Sequence, residues 1–153
     1  MLNENSSYKV YLACKSDLPA LQQLEQSQFA SDRLSLRQMR YHLTNPKALF
    51  YVCRYKEATI GYALFFLRKN RPARLYSLVI DPKHRGKGLA KSLCLEGINT
   101  LRKKKVERLL LEVDSQDMGT ISFYEKLGFG PLKTIKSYYE DGRNALKMSK
   151  ELL

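Results

Sequence analysis

The chain has 153 residues, of which 44% are hydrophobic and 27% charged, a composition that fits one folded domain and argues against intrinsic disorder. No apolar run is long enough to cross a membrane, and Met1–Ser7 has neither the basic start nor the apolar core of a signal peptide, so we expect a cytoplasmic protein. The formal net charge of +12 would attract a polyanion such as a nucleic acid, a nucleotide cofactor or an acidic protein, but a generally basic surface explains it equally well.

The first half of the chain predicts one strand, two helices and a β-hairpin. The first helix begins at Asp17, which we expect to act as its N-cap. The other predicted elements of this half are the strand Tyr8–Ala13, the helix at about Ser35–Leu43, and the hairpin strands Leu49–Arg54 and Thr59–Lys69.

The second half continues the alternation of strands and helices. Its predicted elements are the strand Leu75–Ile80, a helix to about Leu101, the strand Arg108–Asp114, the helix Met118–Leu127 with Gly128 as a left-handed cap, and the strands Phe129–Lys136 and Ala145–Lys150. Mixed strands with helices on both faces predict an α/β or α+β layered fold. We expect a single domain over residues 1–153, with its core at about 8–150.

The cysteines and histidines give little support to a metal site. Cys14, Cys53 and Cys94 are widely spaced without a C-x-x-C pattern, and His42 and His84 have no cysteine neighbours. We therefore predict buried or half-buried thiols and no bound metal.

A short basic turn with two glycines separates the strand ending at Ile80 from the next helix. Glycine allows the backbone to approach an anion closely, and the start of a helix presents unpaired N–H groups and the positive end of the helix dipole. The segment Arg85–Lys91 is therefore a physical anion site. It matches neither the Walker pattern nor the dinucleotide fingerprint, and Gly86-Lys87-Gly88 alone is equally typical of a tight structural turn.

The spacing Arg85-x-x-Gly88-x-Ala90 resembles the acetyl-CoA motif R/Q-x-x-G-x-G/A of the GNAT (Gcn5-related N-acetyltransferase) superfamily. Further along, Leu111–Val113 and Ile121–Phe129 resemble the later core of that superfamily, where L-Y-x-x-x-G-F is typical. The likeness extends over nearly the whole chain in the right order. It is strongest to the ribosomal-protein alanine N-acetyltransferase branch.

This resemblance implies a fold and a co-substrate. The fold is a mixed central sheet of about six or seven strands, splayed at the acetyl-CoA site, with about four helices on both faces. The backbone of Leu78, Val79 and Ile80 would pair with the pantetheine arm of acetyl-CoA. The pyrophosphate would sit on the turn, to which Arg85 and Lys87 add charge, and on the amides of Gly86, Lys87, Gly88, Leu89, Ala90 and Lys91.

The resemblance also places two acid–base residues. Glu112 interrupts an apolar run and occupies the position of the family's acidic residue, so it would accept the acceptor's proton directly or through water. Tyr124 occupies the family's tyrosine position and would protonate the departing thiolate. Both also have structural readings: Glu112 as a strand-end glutamate turned to solvent, and Tyr124 as an aromatic packed beside Ile121 and Leu127.

The cofactor role of Asp117 and the acceptor site are less determined. The branch usually carries asparagine at the position of Asp117, and capping of the following helix is the better prediction for this residue. The acceptor would lie between Ser31–Ser35 and Tyr138–Asn144. Tyr138 and Tyr139 are candidates to line its slot, although both would serve equally well as strand aromatics.

The resulting hypothesis is an acetyl-CoA-dependent N-acetyltransferase that acts on a primary amine, either a protein N-terminal α-amine or another amine. It would work by direct attack in a ternary complex and without a covalent Cys94 intermediate. Two alternatives stay open: a CoA-binding sensor without turnover, and a basic protein associated with RNA or the ribosome. Direct nucleic-acid binding lacks an aromatic–basic motif but agrees with the charge of +12. We expect a monomer or a homodimer.

Overall fold

The computed structural model describes residues 7–30 and 32–153, and these contain seven strands and four α-helices. The strands are β1 Tyr8–Leu12, β2 Ala48–Tyr55, β3 Ala58–Phe66, β4 Ala73–Ile80, β5 Arg108–Asp114, β6 Gly130–Ile135 and β7 Ala145–Glu151. The helices are α1 Leu18–Gln28, α2 Leu36–Thr44, α3 Leu89–Lys103 and α4 Met118–Lys126. The expectation about a signal peptide concerns residues 1–6 and lies outside the described residues.

The strands form one mixed sheet in the order β1-β2-β3-β4-β5-β7-β6. Only β4 and β5 run parallel; the other neighbouring strands are antiparallel. A parallel pair needs a crossover, and α3 supplies it. Among the described residues, no helix is both long and apolar enough to cross a membrane.

The two faces of the sheet carry separate cores, which confirms the prediction of helices on both faces. On one face, α1 and α2 pack Leu21 and Met39 against the sheet residues Val52 and Tyr62. On the other face, α3 and α4 pack against a second set of buried residues; this set includes Phe65, Leu75, Leu93, Leu109, Leu111, Ile121 and Tyr124. Burial on both faces therefore fixes which side of each strand points toward which helices.

The parallel strands β4 and β5 stay paired over only two positions. Ala73 pairs with Leu109 and Arg74 with Leu110, after which the strands diverge. The rest of β4 keeps its pairing with β3, and the rest of β5 keeps its pairing with β7. The divergence confirms the predicted splay and leaves backbone edges of both strands facing a gap.

A bulge in β4 changes which face its side chains occupy. Leu75 pairs with Phe65 and Ser77 with Leu64, so Tyr76 is the extra residue. Leu75 therefore packs with the α3–α4 core, while Ser77 two residues later reaches Tyr62 in the α1–α2 core. The bulge therefore brings Ser77 to the face that carries α1.

Asp17 occupies the N-cap position of α1, as predicted, but its side chain does not cap the helix. A single 3₁₀ turn, Lys15–Asp17, precedes the helix, and the Asp17 side chain makes no cap hydrogen bond to α1. Its carboxylate instead accepts hydrogen bonds from Arg54 at 2.7 Å and from Thr59 at 2.6 Å, and also from the backbone N–H of Cys14 at 2.8 Å. These partners make Asp17 a buried anchor between the helix and the hairpin, and together they hold the pKa of its carboxyl below the ordinary value although burial opposes the shift.

Gly97 allows α3 to pack closely on the sheet, and we predict that Gly97→Ala is destabilising. A methyl group there would overlap the ring of Phe65, which is fully buried. Overpacking of this kind costs about 1–3 kcal/mol. The matched control is Gly119→Ala in α4. A Cβ at Gly119 would have only the Asp117 carboxylate, at 3.8 Å, within 4 Å, so we expect the free energy of unfolding to rise by up to about 1 kcal/mol. Chemical denaturation would measure both, and equal stability of the two variants would contradict the prediction.

Candidate active site

A cleft of about 740 Å³ opens where β4 and β5 diverge. Its walls come from β4, β5, the end of α1, the start of α4 and the segment between β6 and β7. Six of the residues proposed from the sequence line it: Leu78, Glu112, Asp117, Tyr124, Tyr138 and Tyr139. The structure therefore brings the proposed acid–base residues and the proposed acceptor residues to one cavity.

The remaining proposed residues lie at the end of β4 and in the turn that follows, outside the lining of the cleft. The side chains of Val79 and Ile80 are buried in the two opposite cores, so only their backbone remains available for the expected pairing with pantetheine. The backbone N–H of Asp81 still bonds to Ile60, which keeps the end of β4 attached to β3 up to the turn.

The turn has the backbone geometry expected of an anion site. Gly86 and Gly88 have φ angles of +78° and +77°, a region that favours glycine, and Gly88 is the N-cap of α3. A Cβ at either position would meet no atom within 4 Å, so conformation rather than crowding requires glycine, and the space beside the turn is open. The start of the 15-residue helix α3 then presents its free amides there. These features fit a pyrophosphate.

Arg85 has a bracing role that the sequence did not predict. Its Nε donates to the carbonyl oxygen of Ile80 at 3.2 Å, and its Nη2 donates to the side-chain oxygen of Gln28 in α1. The guanidinium therefore ties the turn to the ends of β4 and α1. Its contribution of charge to a bound phosphate stays a prediction.

Glu112 lies in an ion pair on the wall of the cleft. Alternation along β5 buries Leu111 and Val113 and turns Glu112 to the opposite face, where its side chain is 11% exposed. Arg74 donates from Nε to Glu112 Oε2 at 2.9 Å and from Nη2 to the hydroxyl oxygen of Tyr138 at 2.5 Å. Arg74 occupies the last paired position before the strands diverge, so it fixes Glu112 and Tyr138 at the apex of the splay.

Tyr124 is both a core residue and part of the cleft wall. Its side chain is 6% exposed, and the rings of Phe123 and Phe129 lie at 5.0 and 5.5 Å between centroids. Burial raises the pKa of its phenol well above the ordinary value. Tyr124 therefore keeps its proton, which suits it to donate a hydrogen bond into the cleft.

Asp117 caps α4, as the capping prediction stated. Its Oδ1 accepts from the backbone N–H of Thr120 at 3.1 Å, and its Oδ2 accepts from the Thr120 hydroxyl at 2.7 Å. Both carboxylate oxygens thus have donors, and the residue also lines the cleft. Contact of Asp117 with the co-substrate remains a prediction.

Two segments meet at the acceptor side of the cleft. The backbone N–H of Asp32 donates to Glu140 at 3.4 Å, and that of Glu140 donates back to Asp32 at 3.3 Å. Arg143 fixes the second segment to β5 through a bond to Asp114 at 2.7 Å, and its guanidinium lies 4.8 Å from the Tyr139 ring centroid. These contacts join the two segments proposed for the acceptor site, except for Ser31, which lies outside the described residues.

Sequence reasoning missed Arg74, Ser77 and Glu25, all of which line the cleft. A signal for Glu25 exists: it is four residues after Leu21 and seven after Leu18, on the buried face of α1. A carboxylate at an apolar position of a helix indicates a buried partner. Ser77 has no comparable signal, because the bulge that orients it is not marked by a glycine or a proline, and Arg74 gains its place only from the divergence of β4 and β5.

The described residues contain no cluster of His, Cys, Asp or Glu that would hold a metal ion. All three cysteines are free, and Cys94 is buried in α3 and is not among the residues that line the cleft. Burial raises the pKa of its thiol to about 12, so it is a poor nucleophile.

Comparisons with known proteins agree with this geometry. A model of the acetyltransferase (GNAT) family matches residues 14–129. The chain is similar to the N-alpha-acetyltransferase of Saccharolobus solfataricus, with 28% identity over 123 residues that cover 72% of this chain and 74% of that protein. It is also similar to the [ribosomal protein bS18]-alanine N-acetyltransferase of Escherichia coli K12, with 36% identity over 73 residues, although this match spans only 46% of this chain and 49% of that protein.

Solved structures share the whole architecture. The crystal structure of the ribosomal-protein-S18-alanine N-acetyltransferase from Escherichia coli superposes with a TM-score of 0.84 at 25% identity, covering 95% of this chain and 94% of that one. Ard1 from Thermoplasma volcanium superposes with a TM-score of 0.88 at 20% identity, over 96% of this chain and 99% of that one. The second likeness concerns the fold alone.

Proposed function

The chain belongs to the acetyltransferase (GNAT) family, and we propose that it transfers the acetyl group of acetyl-CoA to a primary amine, for which a protein N-terminal α-amine is the form we favour. The observation that carries this proposal is that the free strand edge, the glycine turn and the cleft adjoin one another. The splayed edge of β4 ends in an open glycine turn at a helix start, and Glu112 and Tyr124 line the cleft beside that edge.

The co-substrate would be held by backbone rather than by side chains. The free edge of β4 at Leu78–Ile80 would pair with the amide groups of the pantetheine arm, and the amides of Gly86–Lys91 would bind the pyrophosphate. When bound, acetyl-CoA supplies an activated acyl group, and the protein's own residues supply position and proton transfer.

The reaction forms a bond from nitrogen to the acetyl carbon and breaks the bond from that carbon to sulfur. Glu112 would accept a proton from the attacking nitrogen, directly or through one water. Tyr124 would donate a hydrogen bond to the sulfur as negative charge develops there. Because burial raises the pKa of Tyr124, donation of a hydrogen bond is favoured over complete release of the proton to the sulfur. The products are an amide and free CoA.

The charge of the cleft suits an acceptor that arrives as a cation. Among its lining residues six are acidic and two are arginines, although the chain as a whole carries +12. The acidic set is Glu25, Asp32, Glu112, Asp114, Asp117 and Asp141. The pKa of an α-ammonium group is about 8 and that of a lysine ammonium group about 10.4, so a carboxylate base deprotonates the α-ammonium group more readily. A cytoplasmic location, a protein substrate and a monomeric or dimeric state stay predictions.

The direct test is release of free CoA thiol from acetyl-CoA in the presence of an amine panel. The panel would contain peptides with a free N-terminal amine, the same peptides with a blocked N-terminus and a lysine, and polyamines. We expect thiol release that depends on the acceptor, with a mass increase of one acetyl group on the free-amine peptide. Cys14 is exposed and would react with a thiol reagent, so the reaction without acceptor serves as the blank.

The outcome separates the remaining alternatives. Tight binding of CoA without thiol release for any acceptor would favour a sensor without turnover. Absence of CoA binding would overturn the proposed function. Acetylation of the blocked peptide at lysine, with none at the free N-terminus, would contradict the preference for an α-amine.

A further inference from the structure

We propose that Ser77, Tyr62 and Glu25 form a proton relay, which takes a proton from the ammonium group of the bound acceptor and delivers it to the carboxylate of Glu25. This inference rests on the proposed acetyl transfer to an amine. It assigns a task to three polar side chains beneath the acceptor side of the cleft that the reaction described so far does not use.

The three side chains form one continuous hydrogen-bonded chain. The Tyr62 hydroxyl donates to Glu25 Oε1, and it lies 3.0 Å from the hydroxyl oxygen of Ser77. Since the proton of Tyr62 is committed to Glu25, Ser77 donates to the oxygen of Tyr62 and keeps its own lone pairs for a donor in the cleft. The chain therefore has a single direction, from the cleft toward Glu25.

Both ends of the chain reach the cleft, whereas its middle is fully buried. Ser77 and Glu25 are 9% and 2% exposed and line the cavity, and Tyr62 is 0% exposed. Ser77 precedes Leu78, so its hydroxyl lies on the strand that would hold the co-substrate. An acceptor nitrogen in the cleft therefore has a proton acceptor beside the reacting strand that is separate from Glu112.

The surroundings of Glu25 suit a group that receives a proton. Burial raises the pKa of its carboxyl, while bonds from Tyr62 and from the backbone N–H of Leu34 at 2.6 Å oppose the shift, as does the charge of Arg33. The other titratable group that faces it is Tyr76 of β4. A carboxyl with a raised pKa is a stronger base than an ordinary carboxylate.

Tyr62 transmits a proton without becoming charged. Burial and the neighbouring Glu25 raise the pKa of its phenol, so a free phenolate does not form. Tyr62 therefore gives its proton to Glu25 as it takes one from Ser77, and Ser77 takes one from the acceptor nitrogen. The net change is a neutral amine and a protonated Glu25. Glu25 then returns the proton to solvent through the cleft that it lines.

The chemistry needs a second proton acceptor. An ammonium group loses two protons on its way to an amide, one before attack and one as the bond to carbon forms. Both protons finally reach solvent through their acceptors, and the departing CoA thiolate takes one proton back from solvent. We assign the proton lost before attack to the relay and the proton lost during attack to Glu112, so the two routes are not redundant.

The test is the pH dependence of kcat/KM in Tyr62→Phe and Ser77→Ala, with acetyl-CoA and the fastest peptide acceptor from the amine panel. Without the relay, only the neutral fraction of the acceptor reacts. Between the pKa of Glu25 and that of the acceptor, we expect kcat/KM of the variants to fall about tenfold below wild type for each pH unit, and above the acceptor's pKa to equal wild type. Measurement over a pH series separates this role from a structural one, because a structural defect would lower kcat/KM at every pH.

The matched control is Tyr51→Phe, which removes a buried tyrosine hydroxyl bonded to Thr100 at 2.7 Å on the opposite face of the sheet. It should leave the pH profile unchanged. A loss in Tyr62→Phe and Ser77→Ala that is independent of pH, or no loss at all, would overturn the relay. Because wild-type turnover is measured in the same assay, failure of the relay is distinguishable from failure of the proposed function, in which wild type itself releases no thiol.

Discussion

Glu112→Gln is expected to lower kcat by about 10²-fold or more, because glutamine cannot take the proton that leaves the attacking nitrogen. The substitution preserves the size of the side chain and an oxygen that accepts from Arg74 Nε. CoA affinity should therefore change little. Steady-state kinetics with the best peptide acceptor, together with a separate CoA titration, would measure the two effects.

The loss in Glu112→Gln should persist above the acceptor's pKa, unlike that of the relay variants, since a neutral amine still loses a proton as it attacks. Glu151→Gln is the matched control. It removes the charge from another Arg–Glu pair of the same sheet, the exposed pair of Arg108 with Glu151 at 2.7 Å, and neither residue lines the cleft. Equal rates in Glu112→Gln and wild type would show that Glu112 is not the base and would leave its bond to Arg74 as a structural contact.

Tyr124→Phe is the second variant with a large expected effect, again about 10²-fold or more in kcat. The phenol is the hydrogen-bond donor that we assign to the departing sulfur, and phenylalanine preserves the packing against Phe129. The defect should appear in kcat and leave CoA affinity nearly unchanged, because negative charge develops on sulfur only during the reaction.

The pH profile gives an independent check on Tyr124. Because its pKa is raised above the ordinary value of about 10, the phenol stays protonated and wild type should show no loss of activity from this group up to pH of about 10. An alkaline loss below that pH that disappears in Tyr124→Phe would contradict the assignment. Tyr51→Phe again serves as the control for removal of a buried hydroxyl.

Local sequence rules predicted the turn and the elements around it well. The strand β5 has the predicted bounds, Asp117 caps α4, and Gly128 has the predicted left-handed backbone with a φ angle of +95°. These features depend on a few neighbouring residues: a cap needs an acceptor three residues before an amide, and a positive φ favours glycine. Such requirements can be read directly from the chain.

The side chain of Asp17 shows what local rules do not predict, because this residue holds the predicted N-cap position but bonds elsewhere. An aspartate before a helix is an ordinary cap, but here Arg54 and Thr59 from the hairpin provide stronger competing donors. Partners that lie about 40 residues away depend on how the helix packs on the sheet, and no local pattern contains that information.

The sequence by itself determined that a glycine turn follows β4, that a carboxylate interrupts β5, and that a tyrosine lies on α4. The tertiary structure alone decided that β4 and β5 part after Arg74, that the bulge at Tyr76 turns Ser77 toward Tyr62, and that Glu25 completes that chain. The physical reason is that backbone conformation is largely a local property, whereas a charge pair or a buried hydrogen-bonded chain exists only where packing brings distant strands and helices together.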